Sequence, residues 1–149
     1  MLVRDTAKLV HGELVGRNIG LELDLAPKLP AVRTGRVEMQ QVLLNLMVNA
    51  MDAMRDQPTE RLLLRIHTSE AKGRVRIALR DHGHGISEKA MTEIFRPFFT
   101  TKAQGLGMGL SISRSMVEAH GGKLWAENAA GGGAIFWLEL PVLPEEPAT

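Results

Sequence analysis

The chain has 149 residues, 44% of them hydrophobic and 23% charged, with 18 basic against 17 acidic side chains and a net charge of +1. That is the size and composition of one folded domain with a single core, and the near balance of charge excludes a global field that would gather nucleic acid or an anionic membrane surface. With no cysteine and no run approaching the roughly 18 apolar residues of a span, the expectations are no disulfide, no thiolate zinc site, no direct membrane contact and a cytoplasmic address.

In chain order, residues 3–18 carry a weak helical pattern. Residues 20–25 alternate, with Leu21, Leu23 and Leu25 on one side of Glu22 and Asp24, as a half-buried strand does. A turn from Pro27 to Pro30 and a short strand near Val32 lead into residues 36–55, rich in Leu and Met and free of Gly and Pro, which predict the main buried helix. Residues 62–68 and 74–81 read as two strands of a hairpin around Lys72 and Gly73. From Gly83 to Gly109 regularity fades, apart from a short helix over 88–94, and a long irregular segment in a compact domain is usually functional. A helix over 109–120 stops at Gly121 and Gly122, and residues 123–127 and 134–140 form a last hairpin across Gly131 to Gly133. The domain is placed at 1–141 and a linker-like tail at 142–149. Hairpins on both sides of the irregular segment predict an α/β two-layer sandwich, a mixed sheet with helices packed on one face.

Three clusters carry chemistry. On the long helix, Gln41, Asn45 and Asn49 recur every four residues and Asp52 follows three later, which puts them on one stripe. The stripe is either a solvated face or a ligand face. Interior asparagines lower helix propensity without adding charge, which favours a ligand or metal partner. In the strand over 74–81 the parity of Val75, Ile77 and Leu79 carries Asp81 onto the apolar face, and Gly83 and Gly85 follow it. A carboxylate there needs donors: it caps the following turn, or it receives an amine-bearing base against an open backbone. Gly105, Gly107 and Gly109 alternate in a loop that opens a helix, with Thr100, Thr101 and Lys102 just before. That is a hinge, or a cradle of amides, hydroxyls and a cation for a polyphosphate and its metal.

The order of these signals resembles the GHKL family of ATP-binding domains over nearly the whole chain. QQVLLNLMVNAMDAM, DHGHGIS, IFRPFFTTK and GLGMGLSIS are similar to the N, first glycine, F and second glycine boxes of sensor histidine kinases. SRSMVEAHGGKLWAE, residues 113–127, is similar to their nitrogen-fixation and nitrogen-regulation branch. The resemblance implies the Bergerat fold, a mixed, mostly antiparallel sheet against three helices. It implies ATP and Mg²⁺ as cofactors, with Asp81 on the adenine amino group, Gly83, Gly85 and Ile86 lining the base pocket, and Asn49 on the metal with Asn45 beside it. Gly105, Leu106, Gly107, Met108, Gly109 and Leu110 would wrap the triphosphate, Lys102 with Thr100 and Thr101 would reach the terminal phosphates, and Phe95, Phe98 and Phe99 would anchor a lid. Asn49 and Lys102 are the expected catalytic pair. Asp52, counted among the nucleotide-binding positions, stands where many histidine kinases have Lys, and His82 and His84 stand where Asn and Pro are usual.

The implied activity is transfer of the γ-phosphoryl group to a histidine on a separate dimerisation domain of the same protein, with a response regulator receiver downstream and no nucleic acid. The sequence around His11, followed by Gly12 and Glu13, does not build that acceptor motif. Two rivals are an ATPase of the gyrase and MutL type and a serine kinase of the anti-sigma-factor type. In the ATPases a glutamate one turn before the metal-binding Asn activates water, and here that position is Asn45, which cannot act as a general base.

Overall fold

The computed structural model of the chain describes residues 2–27, 36–96 and 109–142, and the strand expected near Val32 lies outside them. Where the pattern over 3–18 predicts one helix there are two, α1 (Leu2–Leu9) and α2 (His11–Gly16). The break falls at Val10, whose φ of −102° and ψ of 5° leave helical geometry while its side chain stays buried with Val3, Ala7 and Leu14. Turning the chain there keeps both helices' apolar faces on one core, which a single straight helix with so weak a pattern does not do.

The long uninterrupted segment forms α3 (Arg36–Ala53). Met39, Val42, Leu43, Leu46 and Met47 on it have no exposed surface, and it packs on α1, on the sheet and on α5 (Gly109–Ala119). Its stability therefore comes from burial on several sides more than from propensity. Gln41 is exposed and Asn45, Asn49 and Asp52 are half-buried, so the polar stripe is neither sealed core nor open surface.

β1 (Gly20–Asp24) pairs in parallel with β2 (Leu63–Ala71), which requires a crossover, and α3 lies in it. β3 (Arg74–Arg80) returns antiparallel through Lys72 and Gly73, whose φ values of 53° and 75° are both positive, as a type I′ hairpin turn demands. The last hairpin, β4 (Lys123–Asn128) and β5 (Ala134–Pro141), joins through β5 beside β3, giving the order β1-β2-β3-β5-β4. The Val142 amide still donates to the Gly73 carbonyl at 3.1 Å, so pairing runs one residue past the expected boundary at 141.

One face of this mixed sheet presents Leu64, Ile66, Ile77, Leu79, Phe136 and Leu138 to α1, α3 and α5. The other carries Trp125 stacked on Trp137, ring centroids 6.0 Å apart. The arrangement is the two-layer sandwich, with α2 and α4 (Glu88–Glu93) as short additions. Among the described residues no helix is long and apolar enough to cross a membrane.

Because α3 is the shared wall of the core, Leu46→Ala should cost about 2–5 kcal/mol of unfolding free energy, read by urea denaturation. A loss below about 1 kcal/mol would mean that α3 is not packed on all these sides.

Candidate functional site

The parity of β3 carries through its end. Val75, Ile77 and Leu79 are buried on the helix side, and Asp81, one step beyond the strand, is 1% exposed. Its Oδ1 accepts from the amides of Gly83 at 2.9 Å and Ala134 at 3.1 Å. Oδ2 receives no donor among the described residues. Burial pushes the carboxyl up from its ordinary range, opposed by the Gly83 and Ala134 amides and by the nearby His84 and His82. One oxygen is thus fixed and the other is left with acceptor capacity in an apolar setting.

α3 joins this carboxylate to the start of α5. Asn45, Asn49 and Ala53 follow at intervals of four, on one stripe. At one end a Cβ on Gly83 would overlap the Ala53 carbonyl, so only glycine lets the chain after Asp81 lie against the helix. At the other end a Cβ on Gly109 would stand 2.9 Å from both amide atoms of Asn45, whose Nδ2 donates to Ser113 Oγ at 2.9 Å. Gly109 and Ser113 are one turn apart on α5, so Asn45 ties that helix's first turn to α3. Asn49 lies midway, half-buried, with no hydrogen-bond partner among the described residues. The two contacts are two turns of α3 apart, roughly 12 Å at 1.5 Å per residue.

Asp52 pairs with Arg17, whose Nη1 stands at 2.8 Å, and with Arg55 at 3.7 Å. His82 Nδ1 lies 2.8 Å from the Leu63 carbonyl and His84 Nδ1 lies 2.7 Å from the Gly85 carbonyl. No group of three metal-binding His, Cys, Asp or Glu side chains occurs among the described residues. Ile86 and Leu110 are half-buried against the core. Phe95 lies under the Arg114 guanidinium, 5.1 Å from its ring centroid. Phe98, Phe99, Thr100, Thr101, Lys102, Gly105, Leu106, Gly107 and Met108 lie outside the described residues.

Two participants are missed by sequence reasoning. Ser113 looks like any small helical residue until α5 is placed against Asn45. Asn128, the last residue of β4, accepts from the Ile86 amide through Oδ1 at 2.7 Å and donates from Nδ2 to the Ile86 carbonyl at 2.8 Å. The signal for it was an amide side chain at a strand end beside a glycine turn, which gains meaning only once β4 and β5 are in register.

Together these features offer a buried carboxylate beside a glycine-bearing arch, the Asn49 amide, unpartnered among the described residues, on the facing helix, and the amides at the beginning of α5.

The sequence profile of the family described as histidine kinase-, DNA gyrase B-, and HSP90-like ATPase matches residues 34–144. The chain is 43% identical over 129 residues to the sensor protein FixL of Bradyrhizobium diazoefficiens, covering 87% of this chain and 25% of that protein. It thus spans about a quarter of the length of that relative. Among solved structures, a nucleotide-free catalytic domain of the histidine kinase ThkA matches with a TM-score of 0.85 at 35% identity, covering 97% of this chain and 92% of that one. ThkA in complex with response regulator protein TrrA matches at 0.80 and 32% identity, over 97% of this chain and 40% of that one. Full-length ShkA in complex with AMPPNP matches at 0.80 and 27% identity, over 95% of this chain and 30% of that one.

The raised pKa of Asp81 fixes a pH dependence. A carboxyl that holds its proton more tightly when folded gives its full contribution below the ordinary carboxylate pKa and loses it as pH rises through the shifted value. Asp81→Asn keeps an acceptor for Gly83 and Ala134 and carries no charge. Urea unfolding of the ligand-free variant should show it gaining on the wild type from about pH 4 upward, then levelling off. A difference that does not change with pH would contradict this.

Proposed function

The chain belongs to the family of histidine kinase-, DNA gyrase B- and HSP90-like ATPases, and within it to the histidine kinase catalytic domains; from that premise we propose that it binds ATP with Mg²⁺ and passes the γ-phosphoryl group to a histidine on a separate dimerisation domain. The observation that carries the reading is Asp81, a carboxylate 1% exposed whose Oδ2 has no donor among the described residues. An exocyclic amine supplies that donor. Guanine would set a carbonyl against it instead, so the site selects adenine.

The bound nucleotide and its metal supply the transferable group and neutralise the charge on it. Asn49, whose amide has no hydrogen-bond partner among the described residues and lies one turn from Asn45, fits the metal through its oxygen. A single side-chain ligand suffices for Mg²⁺, which keeps waters and draws further ligands from phosphates. The first amides of α5 face the phosphates, and Lys102, Thr100 and Thr101 are assigned there by their motif. Phosphoryl transfer asks the protein for in-line positioning and preorganised charge, which backbone amides and a lysine provide without covalent chemistry.

Asn45 supports the kinase reading over the ATPase rival. It has no basicity, and its Nδ2 is committed to Ser113, so it cannot be recruited to activate water. The AMPPNP-bound ShkA and the ThkA complex with TrrA support a nucleotide in this site and a response regulator as downstream partner. The dimerisation domain that carries the acceptor histidine is proposed to belong to the same protein, and the site to work in the cytoplasm, where ATP is supplied.

Incubation with γ-labelled ATP tests the assignment. Label should appear on protein only when a dimeric domain bearing an acceptor histidine is added, and the phosphoryl linkage should be acid-labile, as a phosphohistidine is. Rapid release of inorganic phosphate by the chain alone would replace this reading with the ATPase one.

A further inference from the structure

We propose that Asn128 is a positioning residue that sets the opening of the base pocket, and with it the preference for adenine over guanine. The proposal rests on the reading of Asp81 as the adenine-binding carboxylate.

The segment 81–86 leaves the end of β3 with two glycines in it; His82 is held by the Leu63 carbonyl at 2.8 Å and by Arg61 Nε on its own carbonyl at 3.3 Å, while residues 84–86 pair with no strand among the described residues. A chain of that kind holds its shape only where it is tied. The near tie is Asp81, whose amide donates to the Ala134 carbonyl at 3.0 Å and whose Oδ1 accepts from the Ala134 amide at 3.1 Å. The far tie is Ile86, whose amide and carbonyl are both taken by the Asn128 side chain, at 2.7 and 2.8 Å. Asn128 and Ala134 stand directly opposite each other in the β4–β5 ladder. Asp81 and Asn128 therefore flank β5 on opposite sides, so the arch crosses the end of that strand over about two strand spacings, roughly 10 Å.

The chemistry at the far foot demands an amide. A carboxamide presents one donor and one acceptor in a plane, as a peptide group does, so Asn128 extends the sheet by one surrogate step where β4 has ended. An aspartate of the same shape keeps the acceptor for the Ile86 amide but sets an oxygen against the Ile86 carbonyl. A Cβ on Gly85 would stand 3.1 Å from Asn128 Oδ1, so the arch passes close over this tie.

Asn128 is exposed at the rim of the domain, outside the hydrophobic core. Loosening it should therefore change the shape of the arch without unfolding the chain, and that separates positioning from bulk stability. A base held against Asp81 by a slack arch is free to shift, so adenine's amine loses its alignment with Oδ2 and binds more weakly, while guanine, which has no such bond to lose, is affected less.

The test compares ATP and GTP as competitors of a fluorescent ADP analogue, in Mg²⁺, on the wild type, Asn128→Ala, Asn128→Asp and Asp81→Ala. The wild type should prefer ATP. Both Asn128 variants should lower the ATP-to-GTP preference roughly tenfold, mainly through weaker ATP binding, with melting temperature held within about 2 °C. An unchanged preference, or an equal loss for both nucleotides, overturns the role of Asn128. A wild type with no preference, or a preference that survives Asp81→Ala, overturns the adenine reading itself, and the Asn128 proposal falls with it.

Discussion

The structure turns on a carboxylate placed where apolar side chains belong. Removing an ionisable carboxyl from water is costly, and Asp81 recovers only part of that cost through the two amides on Oδ1. Simple stability would be served as well by an uncharged residue at this parity. The cost becomes intelligible if Oδ2 meets a ligand donor, so that a desolvated acceptor gains more from an amine than an exposed one would. The neighbouring glycines, the close pass over Ala53 and the Asn128 tie all serve to keep that oxygen reachable while its partner oxygen stays fixed.

α3 gives the site its dimensions. It is buried on several sides, so its polar stripe cannot drift, and the same stripe touches the arch through Ala53 and the start of α5 through Asn45. Asn49 stands between these contacts, where the proposed function puts the junction of base and phosphates. Rigid helix packing thus fixes the separation of the arch from the start of α5, the kind of positioning that the proposed phosphoryl transfer needs. Where the ATPases of this family carry a base, the chain uses an amide to hold α5. The same position is thus turned from chemistry to geometry.

What could be read from the sequence was whatever depends on local periodicity. The parity of Val75, Ile77 and Leu79 was enough to bury Asp81, and freedom from Gly and Pro was enough to make α3 one element. The break at Val10 was invisible because the turn answers to tertiary packing on Val3 and Leu14, and the weak pattern of 3–18 is compatible with one helix or two. Asp52 shares its stripe with Asn49 by spacing, but its pairing with Arg17, thirty-five residues away in sequence, could not be read there. Asn128 and Ser113 escaped for the same reason, since each acts through a partner from a distant segment. His82 and His84 each hold Nδ1 against a backbone carbonyl, a contact that spacing does not reveal.

Everything proposed for the site depends on Asp81 Oδ2 being the acceptor for the amine of adenine. A crystal structure of the chain with a non-hydrolysable ATP analogue and Mg²⁺ tests it most directly. The adenine amino nitrogen should lie within about 3.2 Å of Asp81 Oδ2, with Asn49 on the metal. A base seated elsewhere, with Asp81 bonded only to Gly83 and Ala134, would contradict it.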